Sequence, residues 1–346
     1  MRPGIIFRKE PDTGLGSEGG RPCRGHPCYN PRIMSQSPPS KHPGHVPAVL
    51  EALFVTVLWS TSWVLIKFGL KDIPALTFAG LRYVLAFLCL LPFALAPSIR
   101  TAIRRLSGRQ WVWLAVLGVV YYALTQGTQF VGLSLLSAVT VSMMLNCTSA
   151  VVALTGVLIL AERPSGLQWG GVVLNLAGVL VYFYPAAFAR TEWLGLAVMT
   201  LGLAANAGSA LLGRYLNRDR LIPPLAVTVV SMGIGSILLL LGGVSVQGLP
   251  ALKPSSWAIV AWLAVVNTAF AFTLWNRTLQ VLSAVESSII NSTMMIQIAC
   301  LAWMFLGETL TPQKIAGLVL AAAGAVLVQL RRPSRLKLGS GETAKR

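Results

Sequence analysis

From Val46 onward the chain alternates long apolar runs with short polar breaks. A hydrocarbon core of about 30 Å needs roughly 20 apolar residues in one helix. Ten runs approach that length, over residues 46–69, 75–96, 111–132, 136–161, 167–185, 193–213, 224–244, 257–279, 284–306 and 313–330. Proline falls almost wholly at their edges, as at Pro74, Pro97, Pro164, Pro223, Pro254 and Pro312; Pro92 sits inside a run, one turn from its end. Thr311-Pro312 reads as an N-cap followed by proline at the first helical position. The pattern predicts ten intact transmembrane helices, without the broken helices that build many transporter sites. Residues 1–45 are rich in Gly, Pro, Arg and Ser, have no apolar period, and are expected to be a disordered tail. They carry no apolar h-region of a secretory signal. Met34 opens a polar stretch about a dozen residues before the first run and reads as an alternative natural start. Residues 331–346 form a basic tail.

Composition sharpens the class. Of 346 residues, 55% are hydrophobic and 11% are charged; soluble domains carry about 25% charged residues. Mean hydropathy is +0.68. The net charge of +17 does not indicate nucleic acid, because the basic residues occupy short breaks rather than a folded, wettable surface. They set orientation instead. With the N-terminus inside, 21 of the 28 basic residues fall on the cytoplasmic side and 4 outside; without the first 33 residues the ratio is 15 to 4. Both termini are expected in the cytoplasm. Cys23, His26 and Cys28 lie together in the N-terminal tail, but their spacing matches no zinc motif, and no metal or cofactor is expected.

The second half repeats the first. Sliding the chain by 146 positions aligns 111–184 with 257–330 without a gap. Identities include Trp111/Trp257, Leu136-Ser137-Ala138-Val139 with Leu282-Ser283-Ala284-Val285, Glu162/Glu308, Gly171/Gly317 and Gly178/Gly324. Ile73-Pro74-Ala75-Leu76 matches Ile222-Pro223-Pro224-Leu225 after a three-residue shift. Five spans per copy is an odd number, so the second copy enters the membrane inverted. The expected fold class is an all-α membrane protein, ten helices as an inverted five-plus-five repeat, with halves at 46–185 and 190–330. Such repeats recur in secondary transporters, with the site near the midplane.

The first span carries Leu58-Trp59-Ser60-Thr61-Ser62-Trp63-Val64-Leu65-Ile66-Lys67, and the second Leu81-Arg82-Tyr83-Val84-Leu85-Ala86. Each half ends with Ala161-Glu162 or Gly307-Glu308 and then a helix with spaced glycines. These features resemble the EamA family of the drug/metabolite transporter superfamily, across about residues 48–330. Ala161 replaces the usual glycine before Glu162. The resemblance implies a multi-pass cell-membrane transporter, with exporters of amino acids and related metabolites among its relatives.

Ionisable groups inside a membrane are costly and are functional candidates. Lys67 reads as an interfacial anchor or a functional cation. Arg82 lies about 10 Å into its helix at 1.5 Å per residue, where it binds a substrate carboxylate or ties down helix-end carbonyls. Glu162 and Glu308 precede helix N-termini, which favours fixing of connectors over coupling. Glu286 is the leading carboxylate for coupling to a proton gradient; the alternative is a tethering pair with Arg277. Amides are hardest to explain as packing, since each needs a partner or water in hydrocarbon. A midplane cavity is expected, lined by Ser60, Trp63, Tyr122, Gln126, Asn146, Asn206, Asn267, Trp275 and Asn291, with Arg82 as a further substrate contact.

An enzyme is the rival class. Intramembrane catalysis needs paired aspartates, a Ser–His pair or zinc ligands. No histidine lies within any run, and Asp12, Asp72 and Asp219 lie outside the runs. The expected function is a secondary transporter of a small metabolite across the lipid bilayer, outward. The alternatives are an importer of a sugar or other metabolite, or a non-transporting sensor or assembly subunit.

Overall fold

The computed structural model describes residues 44–160, 165–185, 189–217, 222–279, 281–282 and 284–330. The expectations for both tails, for Met34 and for Cys23, His26, Cys28 and Glu162 fall outside these residues. Among the described residues all regular structure is helical, and nine helices are long and apolar enough to cross a membrane. Ala138–Val152 is a shorter apolar helix.

The predicted runs become helices in order. The first two spans are α1 (His45–Gly69) and α2 (Ala75–Ala94), followed by the short α3 (Pro97–Arg104). α4 (Gly108–Leu117) passes through a π-helical segment, Gly118–Thr125, into α5 (Gln126–Leu135). α6 (Ala138–Asn146) and α7 (Thr148–Leu160) share the fourth run, and α8 (Gly166–Phe183) is the fifth. α9 (Arg190–Asn217) and α10 (Pro224–Gln247) open the second half. There α11 (Pro254–Ala264), a π segment Val265–Phe270 and α12 (Ala271–Thr278) form one span, with α13 (Ala284–Ser292) and α14 (Met294–Leu306) forming the next. α15 (Pro312–Gln329) is last.

Starts are marked by side-chain caps. Ser107 with Gln110 and Ser165 with Gln168 close capping boxes. The Thr311 side chain accepts from the Lys314 amide, as its position before Pro312 predicts.

The spans run through as continuous helices, as expected, but four of them change geometry locally. Four spans are irregular, at repeat-related positions: the π segments overlap under the 146 shift, and the tight turns at Cys147 and Thr293 coincide under it. Each irregularity carries a threonine hydroxyl bonded back to its own helix. Thr125 donates to Val120 O at 2.9 Å and Thr268 to Leu263 O at 2.9 Å, each reaching five residues back, the first within its π segment and the second across the start of its own. At the turns, Thr148 donates to Leu145 O and Thr293 to Ile290 O, both at 2.6 Å, competing with the backbone ladder.

The inverted repeat is visible in how the halves meet. α8 and α15, each other's counterparts, pack antiparallel. A Cβ on Gly178 would lie 2.4 Å from Ala321 N, and one on Gly324 2.3 Å from Asn175 N. Asn175 Nδ2 donates to Ala321 O at 2.9 Å, and these two residues are themselves 146 apart. The pseudo-twofold axis therefore crosses this contact. α2 and α10 pair in the same sense, with Gly80 against Leu240 and Gly243 against Thr77. α1 packs on α12, α13 and α14, and α9 packs on α5, α6 and α7, so each half lends its first helix to the other.

A methyl at the axis contact has no room. Gly178→Ala is expected to lower stability by about 1–3 kcal/mol through overpacking, read as a lower melting temperature of the detergent-solubilised protein. Gly170→Ala, whose Cβ meets nothing within 4 Å, leaves the melting temperature unchanged or slightly raised.

Candidate functional site

The tight turns of the fourth and ninth spans line a cavity of about 430 Å³. Ser142, Asn146, Thr148 and Ser149 come from α6 and α7, Asn291, Ser292 and Met295 from α13 and α14. Trp63 of α1, Asn206 of α9 and Gln329 of α15 close it. Because α1 and α9 are exchanged between halves, the two halves contribute jointly to its wall. Asn146 and Ser292 are repeat equivalents, so the turns present corresponding polar residues to one space.

The polar groups are held but not exhausted. Asn206 Nδ2 donates to Thr148 Oγ1 at 2.9 Å. Asn146 Nδ2 donates to Ala321 O at 3.3 Å, the carbonyl that Asn175 also uses. Gln329 Oε1 is buried with no partner among the described residues, an acceptor at a real desolvation cost. Among the described lining residues none is charged.

Of the ten expected substrate contacts, Trp63, Asn146, Asn206 and Asn291 line this cavity, whereas Ser60, Arg82, Tyr122, Gln126, Asn267 and Trp275 are not in its wall. Those six belong to two packed contacts. In the first, Ser60 donates to Gln297 Oε1 at 2.9 Å, and Gln297 Nε2 donates to Thr56 Oγ1 and Thr293 Oγ1. Beside it Asn267 Nδ2 donates to Leu58 O and to Thr61 Oγ1, and Trp275 rests against Trp59 at 5.2 Å between ring centroids. This tie binds α1 to the opposite half. In the second, Tyr83 donates to Gln126 Oε1 at 2.6 Å and meets the Tyr122 ring edge-on. Arg82 lies there with its guanidinium 5.1 Å from the Tyr83 ring centroid and 3.4 Å from Thr268 Oγ1. Two acids of the loops are engaged elsewhere: Asp72 accepts from Lys253 at 3.0 Å, and Glu192 accepts from the Ala189 amide.

Sequence reasoning missed Thr148, Met295, Gln329 and Gln297. Gln297 and Gln329 carried a usable signal, each an amide within an apolar run. Glu286 bonds His45 at 2.8 Å, and Arg277 lies 3.8 Å from Glu51; the expected Glu286–Arg277 pair is replaced by these two.

One end of the cavity is latched. Glu308 accepts from the Ala138 amide at 2.6 Å and from the Val139 amide at 3.1 Å, so a carboxylate of the second half caps a helix of the first. Lys67 Nζ donates to Leu136 O at 2.6 Å in the same α5–α6 turn. Trp63 and Ser142 stand one turn inside these contacts, and Gln329 stands at the opposite end of the bundle.

These features define a multi-pass membrane protein of two inverted helical repeats around a polar cavity. The EamA-like transporter family model matches residues 46–184 and again 190–330. The chain belongs to that family. It is 25% identical over 301 residues to a protein of Salmonella typhimurium named "Probable amino-acid metabolite efflux pump", covering 82% of this chain and 97% of that one. It is 26% identical over 281 residues to a Chlamydia trachomatis "S-adenosylmethionine/S-adenosylhomocysteine transporter", covering 78% and 84%. A "Probable terminal-alkyne amino-acid exporter" of Streptantibioticus cattleyicolor is 25% identical over 85% of this chain and 97% of its own. One solved crystal structure, at 16% identity, superposes with a TM-score of 0.60 over 82% of this chain and 97% of its own, showing the same fold. The family defines a membrane transporter of small metabolites.

Removing the Glu308 carboxylate strands the Ala138 and Val139 amides. Glu308→Ala is expected to cost about 1–3 kcal/mol, read by thermal unfolding in detergent. Glu308→Gln, which keeps one acceptor, recovers part of the loss.

Proposed function

We propose that this chain is a secondary transporter that moves a neutral or zwitterionic metabolite, an amino acid or related compound, out of the cell by alternating access. The carrying observation is the cavity wall, whose described residues combine amides and hydroxyls with Trp63 and Met295 and include no charged side chain. An ion of net charge would enter it at a high desolvation cost, whereas a zwitterion brings its own compensation. The names of the Salmonella and Streptantibioticus relatives support the amino-acid class and the outward direction.

The charge count supports cytoplasmic termini. On that orientation the Lys67/Glu308 latch closes the outer end, and Gln329 lies at the cytoplasmic end. Breaking the latch while the equivalent inner contacts form would expose the cavity outward, the exchange that inverted repeats make nearly isoenergetic. Glu286 is the carboxylate proposed for proton coupling; its His45 contact supports a tether as the second reading.

Purified protein in liposomes loaded with pooled metabolites, with and without a proton gradient, tests the reading. Net loss of a defined zwitterion is expected, reduced about tenfold in Asn206→Ala, equivalent to a lost interaction of ~1.4 kcal/mol. No solute movement under either condition, with folded protein, rejects transport and leaves the sensor or assembly reading. Glu286→Gln separates its two roles: loss of the gradient-driven component alone assigns coupling, and unchanged flux assigns the tether.

A further inference from the structure

A second concavity lies away from the polar cavity, on the surface where α2, α3 and α10 meet. It encloses about 490 Å³, and its walls are apolar: Phe87 and Leu91 of α2 face Val229 and Ile237 of α10. At its mouth stand Arg100 and Arg104 of α3. Geometry places that mouth at headgroup level. α3 joins the end of one span to the start of the next, and its half-buried Ile99 and Ile103 pack on the cluster built from Leu114, Ala226 and Val230. The helix therefore lies along the bundle end with its arginines exposed.

Among the described residues those arginines have no countercharge. They are four residues apart on one helix face, a spacing at which like charges repel. Neither has a carboxylate within 4 Å among the described residues, and the sequence holds no Asp or Glu from residue 73 through 161. A soluble anion would satisfy them and leave the apolar walls unfilled. A zwitterionic lipid would fill the walls and bring a cation to the arginines. One chemistry matches both parts. We propose that this groove is a specific site for an acidic phospholipid, its phosphate between Arg100 and Arg104 and one acyl chain along the α2–α10 seam. Basic pockets between membrane helices recognise lipid headgroups in this way. Because α2 and α10 pair the two halves, a chain seated there bears on the contact about which the halves would move.

The test is native mass spectrometry of the full-length protein in detergent, supplied with phosphatidylglycerol or phosphatidylcholine of matched acyl chains. The wild type is expected to retain phosphatidylglycerol at least about fivefold better, a difference of ~1 kcal/mol. Arg100→Gln/Arg104→Gln abolishes the preference, and Ile237→Trp, which fills the groove, lowers retention with both arginines present. Arg105→Gln/Arg109→Gln removes the same net charge and keeps the preference. Equal retention of the two lipids by the wild type, or a preference surviving Arg100→Gln/Arg104→Gln, overturns the proposal. So does equal loss in the Arg105/Arg109 variant, or full competition by glycerol 1-phosphate, which lacks acyl chains. Should the double variant fail to fold, Arg100→Gln alone and Ile237→Trp carry the same test.

Discussion

The close contact between α8 and α15 constrains everything else in this molecule. Gly171, Gly178, Gly317 and Gly324 let two backbones touch where a side chain on either would collide. In lipid there is no hydrophobic drive between helices, so such close packing supplies the attraction. Because the four glycines are repeat equivalents, the contact is its own mirror under the pseudo-twofold, and it fixes one half upside down against the other. The same constraint brings the turns at Cys147 and Thr293 to face one cavity.

Exchange of α1 and α9 between halves adds a second consequence. Ser60, Asn267 and Trp275 bind α1 to the second half, while Asn206 bonds Thr148 from α9 to the first. Motion of one half thus carries a helix of the other along. The bodies that rock are expected to be these mixed assemblies rather than the sequence halves. Lys67, on the exchanged α1, and Glu308, beyond α14, then hold the α5–α6 turn as a releasable contact between them.

Much of the fold was legible in the sequence. Run lengths, edge prolines and the 146-residue shift depend only on bilayer thickness and repeat identity, and both survive folding unchanged. The site was only partly legible. Helical-wheel reasoning assumes one angular step per residue, and each π segment widens the turn and rotates everything beyond it. Tyr122, Gln126, Asn267 and Trp275 all lie within or just after such a segment, and none is in the cavity wall. Trp63, Asn146 and Asn206 lie on helices with no π segment before them and do line it, whereas Ser60 and Arg82, on equally regular helices, do not. Threonine back-bonding at residues 125, 148, 268 and 293 accompanies the irregularities. Threonine is common enough in membrane helices that no single one announces a break.

The central claim is a cavity closed at the Lys67/Glu308 end and reached from the other. Sided labelling of a single cysteine tests it most directly. Ser149, in the cavity wall, is replaced by cysteine in a chain whose five native cysteines are changed to serine. Membrane-impermeant maleimide is then applied to sealed vesicles of each orientation. The account predicts modification in inside-out vesicles, where the face bearing Gln329 meets the reagent, and protection in right-side-out vesicles. Modification only from the outer face, past an intact latch, would contradict it.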